Sequence, residues 1–156
     1  MQGYLLDVNH VGPIYRNESV VIAKMQSLPP NSPIWVCTIT VGEIEAGNRM
    51  ATTTDPTKRS DFTAFVNATL LPNALAISQS TGLYYAQIVG RIWRLHPPKP
   101  KTRTEVHLVS LGVDINDVWT VAVAWEHGLT FLTTDTMAVI RAVVTPKEVT
   151  FDNWLI

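Results

Sequence analysis

Apolar residues fall in short unbroken runs along this chain, and most runs are followed by a longer segment in which apolar residues recur every three or four positions. Unbroken runs suit strands that are buried on both faces, as in a parallel sheet, whereas the longer spacing is typical of amphipathic helices. The pattern predicts strands at Tyr4–Leu6, Ile34–Cys37, 74–77, Thr130–Leu132 and 148–151. It predicts helices at 18–28, from Thr40 onward, and at 61–71, 81–96, 117–127 and 137–142.

The ends of several predicted helices carry sequence signals. Thr40 and Glu43 have the spacing of a capping box, and Gly128 stands where a C-terminal glycine ends a helix. The stretch from Lys99 to Arg103 is typical of a loop, and 112–116 is typical of a turn. Because strands alternate with helices from end to end, we expect one α/β domain over residues 1–156, with a mostly parallel sheet of four to five strands.

The composition narrows the function classes. The 156 residues carry a net charge of -1, so bulk charge does not indicate a strongly basic nucleic-acid binder. A single cysteine, Cys37, excludes an internal disulfide framework and a cysteine-based zinc site, and we expect a cytoplasmic protein. No targeting segment is visible and no apolar stretch reaches 18 residues, so we predict neither a transmembrane helix nor a membrane partner.

Four acidic residues share one position relative to the predicted strands. Asp7 and Asp135 follow the first and fourth strands, Glu43 lies in the helix after the second, and Asp117 opens the helix before the fourth. The carboxyl ends of parallel strands lie on one edge of a sheet, where ligands bind in open α/β folds. We therefore expect the four carboxylates to meet at that edge.

Such a cluster is costly without a counter-charge, since two carboxylates about 4 Å apart repel by roughly 4 kcal/mol at an effective dielectric near 20. Either some of the acids are protonated or a divalent cation lies among them. An all-oxygen set suits Mg²⁺ or Mn²⁺, which can activate a water to hydrolyse a phosphate ester. Each acid also has a structural explanation. Asp7 or Asp135 can serve a turn, and Glu43 or Asp117 can complete a capping box with Thr40 or Asp114.

Four segments resemble, in order and spacing, the motifs of PIN-domain ribonucleases. They are Tyr4-Leu5-Leu6-Asp7-Val8-Asn9, Thr38-Ile39-Thr40-Val41-Gly42-Glu43-Ile44-Glu45-Ala46-Gly47, Asn116-Asp117-Val118-Trp119-Thr120-Val121-Ala122-Val123-Ala124 and His127-Gly128-Leu129-Thr130-Phe131-Leu132-Thr133-Thr134-Asp135. Together they extend over essentially the whole chain. Within that family the sequence is most similar to the VapC-type toxins of toxin–antitoxin pairs.

The resemblance implies a three-layer α/β/α sandwich, an endoribonuclease that depends on Mg²⁺ or Mn²⁺, a homodimer, and inhibition by a cognate antitoxin protein. It implies that Asp7, Glu43, Asp117 and Asp135 are the catalytic and metal-binding acids, supported by Asn9 and Thr133. The chain departs from the family pattern at Val8, where Thr is usual, and at Ala138, where another acid is frequent.

A locally basic stretch stands apart from these motifs. It consists of Arg91, Arg94, Lys99, Lys101 and Arg103, and no acid occurs between Asp61 and Glu105. These side chains can bind RNA phosphates, from which most sequence-independent affinity arises, or they can form an ordinary solvated surface.

Two other functions remain open from the residues alone. A PIN-like domain that binds RNA or protein without cutting it would be expected to have lost acids from the cluster, and here the set is intact. A metal-dependent phosphatase or DNA nuclease would use the same carboxylates. The choice of RNA as substrate therefore rests on the family resemblance.

Overall fold

Five parallel strands form the central sheet in the computed structural model, which describes residues 3–51 and 56–156. They are β1 Tyr4–Leu6, β2 Ile34–Cys37, β3 Ala74–Leu75, β4 Thr130–Leu132 and β5 Thr150–Asp152, in the order β3-β2-β1-β4-β5. Leu5 pairs with Trp35 on one side and Phe131 on the other, which places β1 at the centre of the sheet between β2 and β4. The predicted parallel sheet is thus confirmed.

Eight α-helices connect and cover the strands in the described residues. They are α1 Val8–Tyr15, α2 Ser19–Ser27, α3 Thr38–Met50, α4 Pro56–Phe65, α5 Gln79–Leu95, α6 Thr104–Ser110, α7 Ile115–His127 and α8 Ala138–Arg141. A π-helical turn, Val66–Leu70, and a 3-10 turn, Leu71–Asn73, lead from α4 into β3.

Alternate residues of each strand point to opposite faces of the sheet and divide the core in two. Leu5 and Phe131 belong to a buried cluster shared with α5, α6, α7 and α8. Leu6 and Leu132 belong to a second cluster shared with α1, α2, α3 and the π-helical turn. Helices on both faces of one sheet give the three-layer α/β/α sandwich that the sequence resemblance implied.

The structure corrects several local predictions. Thr40 is not an N-cap, because α3 begins two residues earlier and the Cys37 side chain accepts from the Thr40 N–H instead. The strand predicted at 74–77 is only two residues long, and the strand predicted at 148–151 lies at Thr150–Asp152. A short helix, α6, was not predicted; it follows the predicted loop around Lys101, and its own residues His107 and Leu108 are buried against the rest of the protein.

A further helix, α1, was not predicted. Gly12 and Pro13 follow Asp7 closely and are typical of a turn, yet both lie within α1. Proline removes one intrahelical hydrogen bond, but the burial of His10, Val11 and Pro13 packs the helix onto the sheet.

The predicted C-terminal glycine of α7 is confirmed. Gly128 follows the last residue of α7 with a φ of 61°, the left-handed conformation expected of a glycine at a helix end.

No single helix among the described residues is both long and apolar enough to cross a membrane. Within residues 3–51 and 56–156, one pair of consecutive helices, α6 and α7, is long and apolar enough when taken together, but the two are bent by 96°.

Candidate functional site

The carboxyl edge of the sheet brings the four predicted acids into one electrostatic cluster. Asp7 follows β1 directly, Asp135 follows β4, Glu43 lies in the second turn of α3, and Asp117 lies in the first turn of α7. The charges of Asp7, Glu43 and Asp135 all act on the carboxyl group of Asp117. The topology therefore assembles residues that are up to 128 positions apart in sequence.

Asp7 is the most deeply placed of the four and is only 5% exposed. Its Oδ1 accepts a hydrogen bond from the Val8 N–H at 2.7 Å, which caps α1. Its Oδ2 accepts from the Thr133 hydroxyl at 2.7 Å and from Asn9 Nδ2 at 2.9 Å. Burial raises the pKa of Asp7, and these hydrogen bonds act in the opposite direction.

Asn9 and Thr133, predicted as supports, lie between the carboxylates of the first and fourth strands. Asn9 Nδ2 is 3.4 Å from Asp135 Oδ2 and also 3.4 Å from the Thr133 hydroxyl. The Thr133 hydroxyl in turn accepts from the Asp135 N–H at 3.1 Å. Two neutral polar side chains thus hold Asp7 and Asp135 in a fixed relation.

Asn116 belongs to the site although its role was not predicted from the sequence. Its Nδ2 donates to Glu43 Oε1 at 2.8 Å and so joins α7 to α3. Burial raises the pKa of Glu43, and this hydrogen bond opposes the effect. The signal in the sequence was the position of Asn116 directly before Asp117, but nothing in the sequence pointed to a contact with Glu43.

Asp117 has the most perturbed carboxyl group of the site. Burial, followed by repulsion from Asp7, Asp114, Asp135 and Glu43, raises its pKa from 3.8 to about 7. From the sequence, Asp114 was predicted only as a capping residue. It does cap α7, by accepting from the Asn116 N–H at 2.8 Å, and it also adds a fifth negative charge beside the cluster.

The chemistry of this site fits a hard divalent cation. Its donors are carboxylate oxygens, and among the described residues no Lys, Arg or His forms a salt bridge with any of the four acids. The four carboxylates are nevertheless spread out: within residues 3–51 and 56–156, no three His, Cys, Asp or Glu side chains are grouped closely enough to hold one ion as they stand. An ion would therefore have to draw the carboxylates together.

The buried side chain of His10 fixes the orientation of the Asn9 side-chain amide. His10 is fully buried, and its Nε2 accepts from the Trp154 N–H at 3.2 Å. That leaves its Nδ1–H to donate to Asn9 Oδ1 at 2.8 Å, so the Asn9 amide nitrogen faces Asp7. Burial lowers the pKa of His10, which favours the neutral ring that this arrangement requires.

The basic residues predicted as RNA contacts separate into two groups. Arg91 forms a two-pronged ion pair with Glu148, with both nitrogen–oxygen distances at 2.8 Å, and its guanidinium lies 4.9 Å from the ring centre of Trp125. The Arg91 guanidinium therefore joins α5 to the segment before β5 instead of extending into solvent. The other four, Arg94, Lys99, Lys101 and Arg103, are exposed at the end of α5 and in the following loop.

Neither a protein-family model nor a curated protein sequence matches this chain, but solved structures match its fold. The crystal structure of FitAcB from Neisseria gonorrhoeae is similar with a TM-score of 0.68 and 21% identity over 97% of each chain. DNA-bound VapBC from Salmonella typhimurium gives 0.68 and 16% identity over 99% of each chain. VapBC-5 from Mycobacterium tuberculosis, of the VapBC family of toxin-antitoxin systems, gives 0.57 and 22% over 98% of this chain and 99% of that one.

These likenesses extend over nearly the whole chain at low sequence identity, so they establish its fold. The chain has the three-layer α/β/α fold of the PIN-domain, VapC-type proteins that its sequence resembles.

Proposed function

We propose that this protein is an endoribonuclease that depends on Mg²⁺ or Mn²⁺ and acts as the toxin of a type II toxin–antitoxin pair. One observation carries the proposal: four carboxylates lie along the carboxyl edge of a parallel sheet, and burial together with the charges of the other acids raises the pKa of Asp117 to about 7. Structural acids at helix starts and turns do not need to crowd one another in this way. Strongly perturbed carboxylates in one cluster are typical of functional sites.

Each residue of the site has a distinct part in this proposal. Asp7, Glu43, Asp117 and Asp135 would hold the ion, which when bound lowers the pKa of water and neutralises charge on a phosphodiester. Asn9 and Thr133 keep Asp7 and Asp135 aligned through the hydrogen bonds described above, and Asn116 does the same for Glu43. Fixed outer contacts of this kind maintain the geometry of metal-binding carboxylates.

In the metal-free protein, one carboxyl group of the cluster, that of Asp117, binds a proton near neutral pH. With a pKa of about 7, the Asp117 carboxyl is protonated in a large fraction of molecules at neutral pH. A carboxylate must be ionised to bind a cation, so metal binding should release that proton. Because all four acids are present, we favour a nuclease over a PIN-like domain that binds RNA or protein without cutting it.

The test is cleavage of labelled single-stranded RNA and of DNA of the same sequence by the purified chain. We expect RNA to be cut with Mg²⁺ or Mn²⁺ and to remain intact with excess EDTA. Cleavage that persists in EDTA would contradict the metal mechanism. Cleavage of DNA alone would assign the same site to a DNA nuclease, and hydrolysis of phosphate monoesters without any strand cleavage would assign it to a phosphatase.

The partners follow from the same proposal. We propose that the chain forms a homodimer in the cytoplasm and binds a cognate antitoxin protein. A member of the VapBC family of toxin-antitoxin systems and a toxin-antitoxin complex from Klebsiella pneumoniae are among the solved structures with a similar fold. An apolar cavity of about 180 Å³ on the α1–α4 side of the sheet suits an apolar segment of such a partner. Its lining includes Leu6, Ile14, Met25, Ile34, Phe65 and Leu70.

Co-expression with the product of the neighbouring open reading frame tests the antitoxin proposal. We expect a complex that remains intact on size exclusion and in which RNA cleavage is suppressed. A neighbouring product that neither binds nor inhibits would contradict the assignment as a toxin while leaving the nuclease site in place.

A further inference from the structure

The guanidinium group of Arg141 lies beside Asp135 of the acidic cluster. Its Nη2 donates a hydrogen bond to the backbone carbonyl oxygen of Asp135 at 3.5 Å. In the part of the chain that the structure describes, no other Lys or Arg side chain hydrogen-bonds to the four acids, their supports or Asn116. Arg141 is therefore the cation that the fold holds next to the proposed metal site.

The direction of the Arg141 side chain follows from its place in the fold. α8 belongs to the connection that leads from the carboxyl end of β4 back to the start of β5, and Arg141 is its last residue. Helical side chains lean toward the N-terminus of their helix, so the guanidinium turns back toward the edge where β4 ends. The ring of Phe151 supports it there, with the guanidinium carbon 4.1 Å from the ring centre.

The arginines of α5, by contrast, lie toward the opposite edge of the sheet. α5 follows β3 and extends over 17 residues, a rise of roughly 25 Å away from the carboxyl edge. Near its end, Arg91 pairs with Glu148, which comes just before β5 begins and so marks the amino edge. Arg94 lies almost one turn further along the same helix. Arg141 is thus better placed than either to contact a substrate bound at the acids.

Arg141 keeps hydrogen-bonding capacity for such a ligand. Its side chain is exposed, and among the described residues no carboxylate forms a salt bridge with it. A guanidinium has several N–H groups, and the contact with Asp135 occupies one of them. Partial burial lowers the pKa of Arg141, but the ordinary value is so far above neutral that the group stays charged. A guanidinium held flat in this way binds phosphate oxygens in pairs.

The charge balance of the site favours a phosphate as the ligand. One divalent cation would neutralise only half of the charge of four ionised carboxylates, and Asp114 adds a further negative charge beside them. An RNA strand carries another phosphate on either side of the phosphodiester to be cut. Such a flanking phosphate is repelled by the acids and needs a positive partner, which Arg141 provides beside Asp135.

We propose that Arg141 is an RNA-binding residue, which contacts the phosphate next to the scissile phosphodiester on the Asp135 side of the site. The inference rests on the proposed function, because the same acids place the scissile phosphodiester. It extends that function by naming a substrate contact that lies outside both the acidic cluster and the basic stretch predicted from the sequence.

The test measures binding of a labelled single-stranded RNA by fluorescence anisotropy with Mg²⁺ at several salt concentrations. Each variant is made in an Asp7→Asn chain, in which the RNA should remain intact. We expect Arg141→Gln to weaken binding about tenfold, a difference of ~1.4 kcal/mol. It should also lower the slope of log affinity against log salt by about 0.7, the value for one lost phosphate contact. Lys24→Gln, at an exposed position on α2, should change neither quantity.

Two further variants separate the charge of Arg141 from its packing. Arg141→Met removes the charge but can still pack on the Phe151 ring, so it should behave like Arg141→Gln. It keeps the test decisive if thermal unfolding shows that Arg141→Gln does not fold. Arg141→Lys keeps the charge and should therefore retain the salt slope while recovering only part of the affinity. In the chain with Asp7 intact, Arg141→Gln should raise KM about tenfold and change kcat little.

Three results would overturn the proposal. Wild-type affinity and slope in folded Arg141→Gln or Arg141→Met would show that Arg141 only packs on Phe151. A slope that falls in Arg141→Lys as far as in Arg141→Gln would show that its charge is not what binds the RNA. Normal RNA binding together with lost affinity for the antitoxin would assign Arg141 to a carboxylate of that partner.

The outcomes also separate this inference from the proposed reaction. RNA cleavage together with matching slopes for the wild type and Arg141→Gln would refute the phosphate contact and leave the nuclease standing. A lower slope in Arg141→Gln without any RNA cleavage by the wild type would support the contact and refute the reaction.

Discussion

Replacing Asp117 with Asn should stabilise the metal-free protein at neutral and alkaline pH. In the folded chain, burial and four neighbouring carboxylates raise the pKa of Asp117 from 3.8 to about 7. An acid whose pKa is higher in the folded state binds its proton more tightly there than in the unfolded state. Its ionisation therefore reduces the free energy of unfolding as the pH rises from 3.8 to about 7, and the loss is complete above that range.

The magnitude follows from the size of the pKa rise. About three pH units at 1.36 kcal/mol each give ~4 kcal/mol as an upper bound. Asp117 is only half-buried and its acidic neighbours titrate with it, so solvent and shared protons reduce that value. We expect Asp117→Asn to gain about 1–2 kcal/mol above the folded-state pKa, or roughly 2–8 °C in Tm for a chain of this size.

The assay is thermal unfolding of the wild type, Asp117→Asn and the control Asp61→Asn, with EDTA, over a pH series from about 4 to about 8. Asp61 is an exposed acid on α4 outside the cluster, so its variant should follow the wild type. The gain of Asp117→Asn should shrink steadily as the pH falls toward 3.8. With Mg²⁺ present the wild type should gain stability from ion binding and the variant should gain less. A variant no more stable than the wild type at about pH 8, or a gain that does not change with pH, would refute the crowded-acid account.

Three further predictions concern other parts of the molecule. His10→Ala should weaken Mg²⁺ binding about tenfold by releasing Asn9, whereas His127→Ala at an exposed position should not, and equal affinities by calorimetry would contradict the positioning role. Light scattering at micromolar concentration should give twice the 17.3 kDa mass of the chain, and a monomer would count against the homodimer. Neutralising the exposed cations Arg94, Lys99, Lys101 and Arg103 should lower the slope of log RNA affinity against log salt by about 0.7 per lost phosphate contact. Matching slopes would identify them as solvated surface.

The positions of the four acids could be predicted from the sequence because each follows a local rule. Unbroken apolar runs fix the strands, and a parallel sheet places whatever follows them at one edge. Asp7 after β1 and Asp135 after β4 needed no other information. The helix α7 was also predicted from local signals, namely the spacing of its apolar residues and the glycine, Gly128, that follows its last residue.

Contacts between residues distant in sequence could not be predicted in this way. The hydrogen bond from Asn116 to Glu43 joins residues 73 positions apart, and the ion pair that withdraws Arg91 from the basic surface joins residues 57 positions apart. The start of α3 was missed because a cysteine, Cys37, occupies the cap position, where Ser, Thr, Asp or Asn would be the usual signal.

The most direct test of the acidic cluster as a catalytic centre is the rate at which Asp7→Asn cleaves single-stranded RNA with Mn²⁺, beside the wild type and Asp61→Asn. Asp7 is buried between Asn9 and Thr133, so an amide keeps its shape while removing its charge. We predict a loss of about a hundredfold or more, since a loss of ~2.7 kcal/mol of transition-state stabilisation already slows a reaction that much. Asp61→Asn should cleave at the wild-type rate. A folded Asp7→Asn protein that also cleaves at the wild-type rate would contradict the account.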